Sequence, residues 1–577
     1  MQIGNKELDT NPKQELSRPK LINCPICKNQ NFQDAFVFQG FQVQSCLACH
    51  LQFLNPQPSD QTLETIYDSN YFLGSVTPAV AQEISTLKRS TARLYLDKLE
   101  SYIGQQRGKL LEIGCGSGDF LLEAALRGYE VTGTDYSSHA IATAQTRLEG
   151  YAPQLFVGEL GQLNLPSETF EVCVLSDALE HVRNPAELLK EVQLLLKPGG
   201  TLLLTVPSLD SWSARLLGKH WMEYKPEHLY YFSKTSIQNL LFSTYFHRAL
   251  VVPNFKVLTL QYIFAHFDRY QVPLFTPLTR LATKALPSFL LKKPLKIVAS
   301  GEMVLARKQE ISSQRKLSVI MPVYNEANTF KQVIEQLLVK ELADLEIEIV
   351  IVESNSKDGT REEALKYQGH PRVKLILEDR PQGKGHAVRT GLAQATGDFI
   401  LIQDADLEYD MNDYEDLLKS LQTATNAFVL GSRHGFGGAW KMRRFTDQPM
   451  TAFLLNFGHI FFATLLNVLY GQRMKDPFTM YKVFRRDCLF GLNFECNRFD
   501  FDYELVIKLL RKGYKPVEIP VSYQSRSFKE GKKVTIFGDP MTWFRALAKF
   551  RFQRLNLLEN ARATNLADIN TVSQEAH

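Results

Sequence analysis

Two stretches of this chain alternate between strand-like and helix-like patterning, and a polar gap separates them. Over 60–107 the pattern is helical. From 108 to about 207, apolar runs at 110–113, 131–134, 172–175 and 201–206 read as strands with helical segments between them. Such alternation predicts a parallel α/β sheet. Lys197-Pro198-Gly199-Gly200 is a turn leading into the last of these runs. The stretch 240–298 is apolar but shows no clear period, and 301–307 reads as a closing strand. A second alternation starts at Leu317, with strands expected at 317–321, 347–352, 373–377 and 399–402. No internal repeat is visible.

At 577 residues the chain is too long for one core, and two or three domains are expected. Its 44% apolar and 22% charged content are those of a globular protein, and a net charge of +4 makes no case for nucleic acid. The polar N-terminus does not read as a secretory signal. No uninterrupted apolar run is long enough to span a bilayer. The nearest, 452–470, is broken by Asn456, Gly458, His459 and Asn467. Its polar residues fall near one face, which suits either a buried helix or an interfacial helix meeting a lipid-linked acceptor. The expected location is cytoplasmic, with peripheral contact at the inner face of the membrane.

Four of the eight cysteines form two pairs, Cys24-Pro25-Ile26-Cys27 and Cys46-Leu47-Ala48-Cys49. Two Cys-x-x-Cys turns supply four thiolates, the set Zn²⁺ prefers in a closed structural site, and the interval between them fits a β-hairpin. The segment Cys46 to Pro58, followed by Tyr67 and Tyr71-Phe72, resembles the N-terminal region of zinc-ribbon methyltransferases.

Leu111-Glu112-Ile113-Gly114-Cys115-Gly116-Ser117-Gly118-Asp119 follows a strand and opens a helix. Gly114, Gly116 and Gly118 permit a tight turn and close backbone approach to a ligand. With Glu112 ahead of it, the segment resembles the first motif of class I S-adenosylmethionine-dependent methyltransferases. The resemblance covers about 95–307. It implies that Asp135, beside Tyr136 at the next strand end, accepts the ribose hydroxyls. It sets Glu159 near the adenine amine and the Ser176-Asp177-Ala178-Leu179-Glu180-His181-Val182 segment beside the cofactor. Methyl transfer needs alignment and removal of an acceptor proton. His181 and His228 are candidates for that base, and His228, just past the fifth strand, is preferred.

The second half opens with Pro322-Val323-Tyr324-Asn325-Glu326 and continues through Glu353 to Thr360, Gly383-Lys384-Gly385 and Asp404-Ala405-Asp406. Two carboxylates at a strand end aim into one cleft, where a hard divalent ion can bridge them to a diphosphate. Residues 316–555 resemble a family 2 glycosyltransferase of the GT-A fold, in the pattern of polyprenyl-phosphate sugar transferases. The resemblance implies a nucleotide-sugar site on Pro322, Tyr324, Glu326, Glu353, Lys384, Asp404, Arg433 and Lys532, with Mg²⁺ or Mn²⁺ on Asp404 and Asp406. Ser354 departs from the family pattern and leaves the nucleotide open. Asp476 is the expected base for a hydroxyl acceptor. A phosphate acceptor would need none, and Arg433 and Lys532 would then stabilise phosphate charge.

The expected fold class is therefore α/β: an N-terminal zinc ribbon, a Rossmann-like methyltransferase domain and a GT-A domain. The expected order is a disordered lead at 1–20, the ribbon and connector at 21–75, the methyltransferase at 76–307, a linker at 308–315, the glycosyltransferase at 316–555 and a disordered tail at 556–577. The expected function is bifunctional: sugar transfer from a nucleotide sugar to a glycan or lipid-linked acceptor, plus methylation, in cell-surface glycan or glycolipid synthesis. A binding scaffold with one degenerate half is the alternative.

Overall fold

The computed structural model describes residues 18–66, 78–104, 107–309, 315–422, 426–434, 449–526 and 538–564. The chain divides into two compact units, Met1–Gln309 and Glu310–His577.

The first unit begins with β1 (Phe32–Phe38), β2 (Phe41–Cys46) and β3 (Gln52–Leu54), an antiparallel set joined at its edge by β9 (Tyr230–Tyr231). Gln52 pairs with Tyr231 and Phe53 with Tyr230, so the ribbon is stitched into the domain that follows. Its four cysteines share one continuous core with Phe53, Leu229, Tyr230 and Phe232.

The main sheet of this unit runs β10-β11-β8-β7-β4-β5-β6. Its strands are β4 (Lys109–Ile113), β5 (Glu130–Asp135), β6 (Gln154–Val157), β7 (Phe170–Ser176), β8 (Leu196–Pro207), β10 (Phe246–Leu258) and β11 (Leu295–Lys308). β4 to β8 are parallel, and antiparallel β11 and β10 close one edge. The order reverses beside β4, where open α/β sheets bind ligands. Ile113 lies opposite both Thr134 and Leu175, so Gly114, Asp135 and Ser176 emerge at one edge. A long helix, α1 (Pro78–Ile103), precedes the sheet, and α2 (Asp119–Leu126) follows β4. The stretch without a clear period is the β10–β11 hairpin with α3 (Leu260–Tyr270) and α4 (Phe275–Ala285) inserted between its strands.

The second unit holds a sheet of order β14-β13-β12-β15-β17-β16-β18. Its strands are β12 (Arg315–Val323), β13 (Leu345–Glu353), β14 (Val373–Leu377), β15 (Phe399–Ile402), β16 (Phe428–Ser432), β17 (Lys482–Arg485) and β18 (Val517–Pro520). β12 is parallel to β13 and β15, while β17 is antiparallel to β15. Leu317–Met321 of β12, Ile349–Val352 of β13 and all of β15 are buried, and these runs are apolar but for Ser318 because both faces are covered. Ile320 pairs with Ile402, which brings the ends of β12 and β15 together. Its helices include α5 (Lys384–Gln394), α6 (Pro449–Tyr470), α7 (Phe501–Lys512) and α8 (Gly538–Phe552). Residues 557–564, assigned by the sequence to the tail, are helical.

Among the described residues one helix, α6, is long and apolar enough by length and composition to cross a bilayer, over Met450–Tyr470, with the expected polar breaks inside it. Its polar stripe faces protein. Asn456 and His459 are buried, and Asn467 Nδ2 donates to Met474 O at 2.7 Å. Met450, Phe453, Leu454, Phe457 and Val468 are exposed instead.

Candidate functional sites

The two Cys-x-x-Cys turns are built alike. Lys28 N donates to Cys24 O and His50 N to Cys46 O, with Lys28 and His50 at φ 59° and 58°. The four sulfurs lie within 4.8 Å of one another, with Cys24–Cys49 at 3.6 Å and Cys27–Cys46 at 3.5 Å. A tetrahedron with Zn–S bonds of about 2.3 Å has edges of about 3.8 Å, so the donor set fits the ion.

The first cleft, about 1860 Å³, opens at the carboxyl ends of β4, β5 and β7. Glu112, Gly114, Gly116, Asp135, Tyr136, Glu159, Ser176 and His228 all line it. Gly114, Gly116 and Gly118 have φ of 74°, 52° and 75°, a conformation other residues rarely adopt. Gly118 lies behind the cleft at the head of α2. Asp135 is held by Gly116 N at 2.8 Å and Ser137 N at 2.9 Å, which turns its carboxylate onto the glycine turn. Tyr136 and Glu159 are exposed at the mouth, and Ser176 Oγ sits 3.3 Å from Thr205 Oγ1. Glu112 is fully buried, and its Oε2 has no partner among the described residues. Burial, then Asp119 and Asp135, push its carboxyl well above the usual range. Such a group calls for a cation, and the ammonium of S-adenosylmethionine is one.

His228 is buried, and desolvation with His181 and Lys225 nearby holds it well below the usual imidazole range. A base so far below neutrality is a weak one. His181 is lowered to about 4, chiefly by burial. The sequence motifs mark neither of two ion pairs in this cleft. Lys256, in the middle of an otherwise strand-like run, pairs with Asp177, and Lys225 pairs with Glu223 at 3.0 Å. Lys256 inside the strand-like run of β10 is the sequence signal for the first pair, and the second leaves none.

The second cleft, about 680 Å³, lies at the ends of β12 and β15. Pro322, Tyr324, Glu326, Lys384, Asp404, Asp406 and Arg433 line it. Lys384 Nζ lies 2.5 Å from Asp404 Oδ1. Arg526 bridges Glu326 at 2.9 Å and Asp406 at 2.5 Å. Burial, then Asp404 and Glu408, push Asp406 up to about 7. Crowded carboxylates of this kind fit a divalent cation, which would relieve their repulsion. The glycine loop is tight: a Cβ on Gly383 would lie 2.4 Å from Asn497 O, and one on Gly385 2.7 Å from Arg498 O.

Two expectations change here. Asp476 is fully buried outside the cleft and clasps Arg433 through Nε at 2.8 Å, Nη2 at 2.7 Å and the backbone N at 2.9 Å. Although burial opposes ionisation, Arg433 more than offsets it and holds Asp476 well below the carboxylate range. Asp476 therefore holds Arg433 in place and does not line the cleft where an acceptor would sit. Glu353 is also buried away from the cleft, accepting from Ser356 N at 2.6 Å and pairing with Arg361 at 3.1 Å. It shapes the turn after β13 and does not line the cleft. Lys532, Tyr67, Tyr71 and Phe72 lie outside the described residues. Asp502, paired with Lys482 at 2.8 Å, also lines the cleft, as does Glu408, which no sequence motif marked.

These two clefts on two α/β sheets define a chain of two transferase domains. Residues 86–244 match the family model for a methyltransferase domain and residues 318–490 that for glycosyl transferase family 2. Dolichyl-phosphate beta-glucosyltransferase ALG5A of Trichomonas vaginalis is 30% identical over 235 residues, 38% of this chain and 69% of that protein. The chain belongs, through its second unit, to glycosyl transferase family 2. ALG5C of the same organism is 29% identical over 35% of this chain, and dolichol-phosphate mannosyltransferase of Pyrococcus furiosus is 27% identical over 38%. The chain spans 62% and 59% of the lengths of those two proteins. Among solved structures, the phosphoethanolamine N-methyltransferase 2 of Haemonchus contortus is 16% identical, over 45% of this chain and 63% of that one, with a TM-score of 0.31.

Proposed function

We propose that the chain is a bifunctional transferase that moves a sugar from a nucleotide-sugar donor and a methyl group from S-adenosylmethionine, in the synthesis of a cell-surface glycan or glycolipid. The observation that carries the sugar half is the convergence of Asp404, Asp406, Lys384, Arg433 and Arg526 on one cleft. Asp404 and Asp406 would hold Mg²⁺ or Mn²⁺ against the donor diphosphate, and the ion would neutralise charge on the departing group. Lys384 and Arg433 supply fixed positive charge beside it.

The relatives named for dolichyl phosphate suggest a lipid-phosphate acceptor. A phosphate oxygen is already an anionic nucleophile, which agrees with Asp476 being spent on Arg433. The exposed apolar side of α6, with its polar stripe turned inward, supports peripheral contact with the membrane that carries such a lipid. The expected location remains the cytoplasm and the inner membrane face.

In the methyl half, Asp135 would bind the ribose, the glycine turn would approach the methionine portion, and buried Glu112 would meet the ammonium. The ribbon would hold one structural Zn²⁺. A panel of nucleotide sugars, assayed with a polyprenyl phosphate and with Mg²⁺, Mn²⁺ or chelator, tests the sugar half. Transfer from one donor, lost in chelator, is expected, and full-rate transfer in chelator would contradict the metal assignment.

A further inference from the structure

Glu180, His181 and His228 each bring a ligand atom within 4.8 Å of the others, in the first cleft and away from the ribbon cysteines. Glu180 and His181 sit on the turn after β7, and His228 lies just before β9. Leu229 N donates to Glu180 O at 2.9 Å and locks the two segments together.

The donor set is prepared in detail. His181 Nδ1 donates to Glu227 O at 3.0 Å, so in the neutral ring Nε2 carries the lone pair. The His228 ring bonds the Glu223 backbone, while its Nδ1 is buried with no partner among the described residues. The two rings meet edge to face at 4.7 Å. His228, bonded to the backbone through one ring nitrogen and without a partner among the described residues at the other, is held in the way proteins present histidine to a metal. Glu180 is 1% exposed, and neither carboxylate oxygen has a partner among the described residues. The ammonium groups around it, Lys256 and Lys225, already pair with Asp177 and Glu223. A buried carboxylate in that position needs a proton or another cation.

We infer that Glu180, His181 and His228 form a divalent-metal site for Zn²⁺ or a similar first-row ion, with open positions for an oxygen of the methyl acceptor. Two imidazoles and one carboxylate with an open position are a known catalytic set for such ions. The inference rests on the methyltransferase reading of this unit. The acceptor hydroxyl binds the ion, its pKa falls, and its proton passes to solvent. The oxygen lone pair then takes the methyl carbon as the carbon–sulfur bond breaks, and sulfur leaves as the neutral thioether. His228 is thus a ligand and not the base.

The test is a Co²⁺ titration of the full chain with ribbon zinc in place and no nucleotide sugar. One further equivalent is expected, with visible d–d bands and no thiolate charge-transfer band. Two exchangeable, paramagnetically shifted imidazole N–H signals should accompany it in the unaltered protein. Glu180→Gln and His228→Asn should each weaken it at least tenfold, while Asp406→Asn should leave it unchanged. Circular dichroism and ribbon zinc content report whether the variants fold. Absence of the extra equivalent, absence of the shifted signals, or Co²⁺ binding unchanged in folded Glu180→Gln and His228→Asn would overturn the site. Calorimetric S-adenosylmethionine binding on the same samples separates the readings. Cofactor bound without cobalt removes the metal site alone, whereas failure to bind cofactor counts against the methyltransferase assignment.

Discussion

Asp476 and Asp406 are both buried carboxylates of the second unit, and their partners give them opposite behaviour. Asp476 has Arg433 on three hydrogen bonds. Asp476→Ala strands a buried guanidinium, so it should cost roughly 3–5 kcal/mol in chemical denaturation. A base exposed to the acceptor would lose rate and keep its stability. Asp406 has its pKa raised to about 7, so it is protonated in the folded state at pH values where the unfolded chain has already ionised. Its contribution to stability is therefore greatest at low pH and is lost as pH rises through about 7. Metal must displace that proton. The apparent affinity for Mn²⁺, titrated with a nucleoside diphosphate present, should fall about tenfold per pH unit below 7 and level off above it. A flat profile from pH 5.5 to 8 would contradict the Asp406 assignment. The Asp-x-Asp pair was legible because its meaning is local. The role of Asp476 was not, because its partner Arg433 lies 43 positions away and only the fold brings them together.

Elements carry the ligand turns, and glycine decides two of them. At the start of α5, a methyl on Gly385 would press on Arg498 O and the Phe501 Cβ, each at 2.7 Å. Gly385→Ala should displace the Lys384 end of α5 and cost about 1–3 kcal/mol. Sugar transfer should fall while S-adenosylmethionine affinity is kept, as measured by activity and calorimetry on one preparation. In the first unit, Asp135→Ala should weaken the cofactor by up to about 1.5–3 kcal/mol per bond lost. Unchanged affinity in calorimetry would remove Asp135 from the site. The parallel strands were readable from their apolar runs. The 240–298 stretch was not, because strand β10 shifts register twice against β11 and amphipathic helices interrupt the hairpin. The ribbon was legible from its cysteines, but its pairing to Tyr230 and Tyr231 spans most of the unit and leaves no local mark.

At the scale of the whole molecule each of the two compact units carries, among its described residues, a cleft at the edge of its own seven-stranded sheet. If each unit carries one transfer reaction, damage to one site leaves the other ligand's binding intact. The most direct measurement is a paired calorimetric titration of the full chain with S-adenosylmethionine and with nucleotide sugar plus Mn²⁺, on the unaltered protein, Asp135→Ala and Asp406→Asn. The unaltered protein should bind both, Asp135→Ala should lose only the cofactor, and Asp406→Asn should lose only the metal-dependent sugar nucleotide. An unaltered chain that binds only one ligand, or a single substitution that abolishes both while the fold persists, would contradict the two-site account.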